Sequence, residues 1–185
     1  MELLELVNFW FENRKKWFNP SEDFDNLCRI KYNDLLENYE YINYDSKKSL
    51  EVLGLIILLD QIPRNIFRGK PSAYKYDNIS SIICLNNLIL SNELDGWYKI
   101  FFLMPLKHSE DIRYQEDGIR ICNEIISIEL NINLKKLYKR NLVESLKHYN
   151  IVKKYGRFPK RNKILKRESS IDEKKYILEN QKGFI

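Results

Sequence analysis

The chain has 185 residues, of which 44% are hydrophobic, 13% aromatic and 31% charged. This composition is typical of a globular protein with a sizeable core and excludes a disordered segment. The three cysteines, Cys28, Cys84 and Cys122, lie far apart without paired metal-ligand spacing, which argues against a disulfide framework.

The first predicted helix covers Glu2–Glu12. Its acidic residues occupy the place that a signal peptide fills with positive charge, and no small-residue cleavage site follows. We therefore expect a cytoplasmic protein. Ser21 is the predicted cap of a second helix, which runs to about Tyr39 and has acidic residues in its first turn, where the helix dipole favours them.

The third predicted helix begins at Asp45 or Ser46 and is apolar on nearly every face over residues 52–59. This places it at the centre of the core. The apolar run stops at Asp60, well short of the roughly 18 residues that span a bilayer, so we expect no membrane segment. Pro63 should end the helix, because proline has no N–H to donate.

A fourth helix is predicted over Asn78–Leu90, with Asp77 as its cap. A short aromatic helix follows the turn at Gly96 and is expected to break at Pro105. Ser109 is the predicted cap of the helix after that break.

The helix after Ser109 has an apolar stripe with one polar member, Gln115. A longer helix is predicted over Leu134–Tyr155, and Gly156 is suited to end it in a left-handed conformation. The final helix should begin with a capping box, in which Ser170 and Glu173 exchange hydrogen bonds.

Helical spacing of apolar residues extends nearly throughout the chain, and no alternating pattern indicates a sheet. The predicted fold is therefore all-α, with antiparallel helices stacked into a compact bundle or solenoid. We expect a single helical domain over residues 1–185. No sequence repeat of fixed period is visible, which argues against a regular repeat array.

Three segments place charged, amide or histidine side chains beside apolar helix ends: LLDQIPRNIFRG (58–69), MPLKHSEDIRYQ (104–115) and KYGRFPKRN (154–162). In the first, Asp60 continues the inward stripe of its helix, and Arg64 is near enough to pair with it. Arg64 is either a guanidinium prepared for a carboxylate or phosphate, or half of a structural ion pair.

In the second segment, His108 and Glu110 flank the predicted cap, where free backbone N–H groups favour anions. His108 is a candidate general acid or base; alternatively, it belongs to a hydrogen-bond network between helices. A metal site of His108, His148 and either Asp60 or Glu110 is conceivable, but no HxxxH or HExxH spacing supports it. We predict no metal and no cofactor.

The third segment forms a stiff loop in which Arg157 and Arg161 are predicted to contact an anionic ligand. Residues 135–167 contain thirteen Lys or Arg and one acidic residue. Such an excess can attract phosphates or nucleic acid. A solvated helix face carries many such lysines, however, and no nucleic-acid motif is present, so nucleic acid is not the expected partner.

These segments, together with NFWF (8–11) and LKRESS (165–170), resemble the family catalogued as domain of unknown function 924 over nearly the whole chain. The resemblance implies an all-helical, tetratricopeptide-like fold. Lys160 stands where we expect a histidine in that family's last motif, which argues against a mechanism that needs a third histidine.

We interpret these residues as the lining of one pocket that binds an anionic small molecule or short peptide, with its hydrolysis as a further hypothesis. The candidate catalytic residues are Asp60, His108 and Glu110. The ligand-binding candidates are Arg64, Asn65, Arg68, Gln115, Arg157, Arg161 and Asn162. The alternative is a non-enzymatic adaptor whose groove binds a partner protein, with the polar residues serving as structural locks.

Overall fold

Helices and short 3₁₀ turns make up the regular secondary structure of residues 2–181, which are the residues that the computed structural model describes. No strand occurs among them, and the predicted all-α class is confirmed. Within the same residues, no helix is both long enough and apolar enough to cross a membrane.

The chain divides into two compact units, residues 1–105 and 106–185. The first contains α1 (Glu2–Glu12), α2 (Glu22–Glu37), α3 (Ser49–Asp60), α4 (Ile62–Ile66), α5 (Asp77–Asn86) and most of α6 (Gly96–His108). The second contains the end of α6, α7 (Ile112–Ile128), α8 (Ile132–Tyr155) and α9 (Ile171–Glu179). The single domain over residues 1–185 stays a prediction, as does the tetratricopeptide-like arrangement.

Helix α3 is the core of the first unit, and its residues 52–60 are all buried. It packs against α1, α4 and α5. The contact with α1 depends on Gly54, because a Cβ at that position would lie 2.6 Å from the carbonyl oxygen of Leu3 and 2.8 Å from its Cβ. Only glycine lets the two helices approach so closely.

Two predicted helix starts in this unit differ from the structure. Helix α3 begins at Ser49, because the Asp45 carboxylate accepts the N–H of Lys47 at 2.9 Å and closes a separate turn before it. Asp77 is the first residue of α5, and the cap position before it is Tyr76. Its carboxylate instead lies 2.8 Å from Nη2 of Arg64.

Helix α6 does not break at Pro105 but continues to His108. Met104 and Leu106 are both buried on either side of the proline, so apolar packing outweighs the roughly 3 kcal/mol cost of proline in a helix. The cap of α7 is Asp111, whose carboxylate accepts the N–H of Arg113, and not Ser109 as predicted.

In the second unit, α7 and α8 pack against each other and are joined by a link of three residues. Gln115 is buried on the inner face of α7, as its position on the apolar stripe indicated. Gly156 ends α8 with φ of 69°, in the left-handed conformation expected of it. The capping box of Ser170 and Glu173 at α9 is also confirmed.

Candidate functional site

Asp60 and Arg64 form an ion pair at the end of α3. Nη1 of Arg64 lies 3.3 Å from Oδ1 of Asp60 and also donates to the Asp60 backbone carbonyl. Asp77 approaches the same guanidinium from α5. Burial works against the charge of Arg64, but Asp60 and Asp77 outweigh it and raise the pKa of this guanidinium. The structure therefore contains the ion pair that was one of the two interpretations of these residues.

Arg68 and Asn65 belong to a second polar group in the first unit. Arg68 binds both carboxylate oxygens of Asp25 with Nε and Nη2, at 2.5 and 2.7 Å. Nη2 also donates to Asn65, whose own amide donates to the Gln61 carbonyl at 3.0 Å. Asn65 and Arg68 line a cavity of about 370 Å³ beside the start of α2. Glu22 and Asp25 line it as well, so its charge is mixed.

Gln115 serves the end of α6 in the second unit. Its Nε2 donates to the carbonyls of Lys107 and Ser109, at 2.6 and 2.8 Å. The Lys107 carbonyl is in the last turn of α6, where the helix itself provides no partner, and Ser109 directly follows the helix. Oε1 of Gln115 is buried without a hydrogen-bond partner in the described part of the chain. Gln115 therefore stabilises the segment that carries His108 and Glu110.

Glu110 is held by Arg167, a residue that the sequence did not single out. Nη1 and Nη2 of Arg167 donate to the two carboxylate oxygens at 2.6 and 3.0 Å, and the Phe158 N–H donates at 2.7 Å. Burial alone would raise the pKa of Glu110, but these hydrogen bonds outweigh it and lower the pKa. Glu110 is thus a fixed carboxylate at neutral pH.

Arg157 is bound in a similar way by Glu173. Nε and Nη2 donate to the two carboxylate oxygens at 2.7 and 2.9 Å, and Nη2 also donates to the Glu168 carbonyl at 2.8 Å. Glu173 was predicted only as part of the capping box, but the same carboxylate has both roles. Its hydrogen bonds with Arg157 hold the pKa of Glu173 at about 2.

Arg161 and Asn162 are both buried within the loop after α8. Nη2 of Arg161 donates to the His108 carbonyl at 3.0 Å, and its guanidinium carbon lies 4.4 Å from the centre of the Phe158 ring. The Asn162 amide donates to the Ser169 hydroxyl at 3.0 Å. Both side chains connect this loop to other segments of the second unit.

The two histidines lie near each other, with ring centres 6.2 Å apart. Nδ1 of His148 is 2.7 Å from the Glu144 carbonyl, which fixes the tautomer with the proton on Nδ1. Burial lowers the pKa of His148 to about 4. Among residues 2–181, no group of three His, Cys, Asp or Glu side chains is arranged to hold a metal ion.

A second cavity, of about 350 Å³, lies beside the loop after α8, and we call it the basic pocket. It is lined by Pro159, Lys160, Lys163, Arg167, Ser169, Ile177 and Gln181. None of these residues was a predicted ligand contact, although Lys160 had been noted as a departure from the family pattern. The excess of basic residues over 135–167 was the signal in the sequence that pointed to this region.

Lys166, which lies between two residues of this pocket in the sequence, has an unusual backbone conformation. Its φ is 54°, the only positive value at a described residue other than glycine. The next residue, Arg167, donates its N–H to the Asn162 carbonyl at 2.8 Å and its Nε to the Asn162 side chain at 3.0 Å. The left-handed turn at Lys166 thus directly precedes the residue that makes two hydrogen bonds with Asn162.

The predicted site residues are therefore divided between the two units, with two polar groups in the first unit. Asp60 and Arg64 make direct contact, as do Asn65 and Arg68. In the second unit, the loop after α8 contacts the last residue of α6 through Arg161 and Glu110, two residues later, through Phe158. The meeting of all these residues in one pocket stays a prediction.

A sequence model of a family described as bacterial proteins of unknown function, DUF924, matches residues 6–181. The fold is similar to the solved structure of a protein of unknown function from Agrobacterium tumefaciens. The TM-score is 0.82 and the identity 28%, over 96% of this chain and 97% of that chain. No curated protein matches the sequence.

Proposed function

Since the chain belongs to the DUF924 family of bacterial proteins of unknown function, we propose its function from its own side chains: it binds an anionic small molecule or short peptide in the basic pocket. This keeps the class of ligand that the sequence predicted. It moves the contacts to Lys160 and Lys163, beside Arg167, whose guanidinium is bound by Glu110.

The observation that carries this proposal is the charge of the pocket wall. Of the seven described residues that line it, three are basic and none is acidic. Glu110 pairs with Arg167, so the excess positive charge of the wall comes from Lys160 and Lys163. Ser169 and Gln181 add polar groups, whereas Pro159 and Ile177 add apolar surface. A phosphate or carboxylate suits the cations, and the apolar residues suit the rest of an organic ligand.

The basic pocket is also rigid before any ligand arrives. Gly156 turns the chain, and the hydrogen bonds of Arg157, Arg161 and Arg167 described above hold the loop on three sides. Little conformational entropy is then lost on binding. Burial lowers the pKa of Lys160.

In this proposal Arg157 and Arg161 hold the loop that carries the pocket wall and do not contact the ligand. Both guanidinium groups are engaged by the protein, so their predicted contact with ligand stays a prediction. Glu110 suits the task of orienting Arg167 better than proton transfer, because its pKa is low. Hydrolysis by Asp60, His108 and Glu110, the adaptor function and the cytoplasmic location likewise stay predictions.

The test is calorimetric titration of inorganic phosphate, and then citrate, into the wild type and a Lys160→Gln/Lys163→Gln double variant. Loss of one charge-assisted hydrogen bond costs about 1.5–3 kcal/mol, so we expect affinity to fall by about tenfold or more.

The matched control removes two exposed lysines of α8, Lys136→Gln/Lys139→Gln. It loses the same net charge and should bind both anions nearly as well as the wild type. Equal weakening in both double variants would show a diffuse response to net charge and would refute a defined site. An unchanged affinity in the pocket variant would do the same.

A further inference from the structure

The link between α7 and α8 carries three exposed apolar side chains, which we call the apolar tip. Ile128 is the last residue of α7, Leu130 lies in the link and Ile132 is the first residue of α8. They are 74%, 96% and 61% exposed. We propose that the apolar tip inserts into the surface of an anionic lipid membrane, and that basic residues in the next turns of α8 bind the lipid headgroups. This surface is separate from the basic pocket, and contact of this kind requires no membrane-spanning helix.

The exposure of the apolar tip favours a membrane over a protein as its occupant. Single exposed apolar residues are ordinary on protein surfaces, but three of them within residues 128–132 form a patch. A side chain that is 96% exposed, as Leu130 is, protrudes with almost no protein around it. A protein partner would have to provide the whole pocket for it, whereas the boundary between headgroups and acyl chains accepts protruding apolar side chains of any shape.

The backbone of the link is suited to surroundings with little water. The Glu129 carboxylate accepts the N–H of Asn131 at 2.8 Å. The Asn131 side chain accepts the N–H groups of Asn133 and Leu134 at 2.9 and 3.2 Å, and Nζ of Lys135 donates to the Glu129 carbonyl at 3.2 Å. Polar groups are costly to remove from water unless they are hydrogen-bonded. These groups have partners within the link and the start of α8, so insertion does not leave them unpaired.

Basic residues follow the apolar tip at a suitable depth along α8. Lys135 and Lys136 come one turn after Ile132. Lys139 and Arg140 come one further turn along the helix. At a rise of about 1.5 Å per residue, the two pairs lie about 4.5–6 Å and about 10.5–12 Å from Ile132 along the axis. Interfacial apolar groups are buried about 5–10 Å into the headgroup region, so the cations are level with the headgroups when the tip is inserted.

The charge around the apolar tip is complementary to an anionic surface. Residues 128–140 contain four basic residues and one acidic residue, Glu129. On α7, Glu124 lies one turn before Ile128, and its Oε1 is 2.9 Å from Nη1 of Arg120, which offsets its charge. Each basic residue near an anionic membrane strengthens binding by about fivefold. The same positive charge would repel a second copy of this chain.

The experiment is co-sedimentation of the full chain with lipid vesicles. One set contains phosphatidylcholine alone, and the other contains phosphatidylcholine and phosphatidylglycerol in equal parts. We expect binding to the mixed vesicles only. Leu130→Ser should weaken it by about tenfold or more, the scale for burial of one leucine side chain, and should leave the melting midpoint unchanged because Leu130 is exposed. The matched control is Ile30→Ser on α2, at a side chain that is 84% exposed, which should bind like the wild type.

Two charge variants separate this proposal from the function proposed for the basic pocket. Lys136→Gln/Lys139→Gln should weaken vesicle binding by about tenfold or more and keep the binding of phosphate. Lys160→Gln/Lys163→Gln should do the reverse, with vesicle binding within a few-fold of the wild type.

Four results would overturn the membrane proposal. The first two are no binding to the mixed vesicles and equal binding to both sets. The third is equal weakening by both charge variants, which would show a response to net charge alone. The fourth is a wild-type dimer in analytical ultracentrifugation that Leu130→Ser dissociates, which would identify a second copy of the chain as the occupant of the apolar tip.

Discussion

Glu110→Gln tests whether this carboxylate is chiefly a structural anchor of the second unit. The change keeps the shape of the side chain but removes the charge that receives two hydrogen bonds from Arg167 and one from the Phe158 N–H. Losing one partner of a buried ion pair costs about 3–5 kcal/mol. Here both side chains keep about a quarter of their exposure, 25% for Glu110 and 24% for Arg167, so water screens part of the interaction.

We therefore expect Glu110→Gln to lower the free energy of unfolding by about 2 kcal/mol. For a chain of this length that corresponds to a fall of about 4–8 °C in the melting midpoint. Circular dichroism detects the helices of both units, whereas tryptophan fluorescence detects only residues 1–105, since Trp10, Trp17 and Trp97 all lie there. A parallel shift of both signals would support the prediction of a single domain.

The pH dependence of this stability difference is a sharper test of whether the charge of Glu110 is responsible. The folded protein holds the pKa of Glu110 below its ordinary value of 4.5. The stabilisation is therefore complete above about pH 4.5 and is lost as the pH falls through the lower folded value. The difference between wild type and Glu110→Gln should shrink steadily in acid.

Glu116→Gln, an exposed change on α7, is the matched control and should leave the midpoint within about 1 °C, since surface changes cost little. Equal melting of wild type and Glu110→Gln at neutral pH would refute the anchor role. A difference that stays constant into strong acid would show that lost packing, rather than lost charge, is responsible.

Three further changes test the rest of the structure. Gly54→Ala should lower stability by about 1–3 kcal/mol in urea titration, because its Cβ would meet the backbone of Leu3; a neutral effect would contradict the close approach of α1 and α3. Arg64→Met should lower the free energy of unfolding, followed by tryptophan fluorescence, by about 3–5 kcal/mol, since it removes the cation between two carboxylates. Arg113→Met, at an exposed site, should lower it little. Proton NMR should show the His148 ring titrating at about 4; a midpoint near 6.5 would contradict its burial.

Local features of the structure could be predicted from the sequence because short-range physics decides them. Ser21, Gly156 and the capping box of α9 are where they were expected, since a cap depends on only a few consecutive residues. The inward position of Asp60 and Gln115 followed from helical periodicity. Pro105 is the exception, because packing on both sides of it outweighs its local preference.

The partners of the charged side chains could not be predicted in the same way. Long arginine side chains reach several acidic residues, and the choice depends on how the helices pack. Glu110 binds Arg167, which is 57 residues away in the sequence, and Arg157 binds Glu173. The basic pocket was missed for a related reason, because arginines looked more specific than the lysines that line it.

The left-handed turn at Lys166 stores conformational energy beside the basic pocket. A side chain other than glycine or asparagine is disfavoured at φ of 54°, by about 1–2 kcal/mol. Lys166 does not line the pocket, so Lys166→Gly would release this energy without removing a lining group. Lys166→Gly is therefore expected to raise the stability of the folded chain, and this gain would offset the cost of substitutions at Lys160 or Lys163 on the pocket wall.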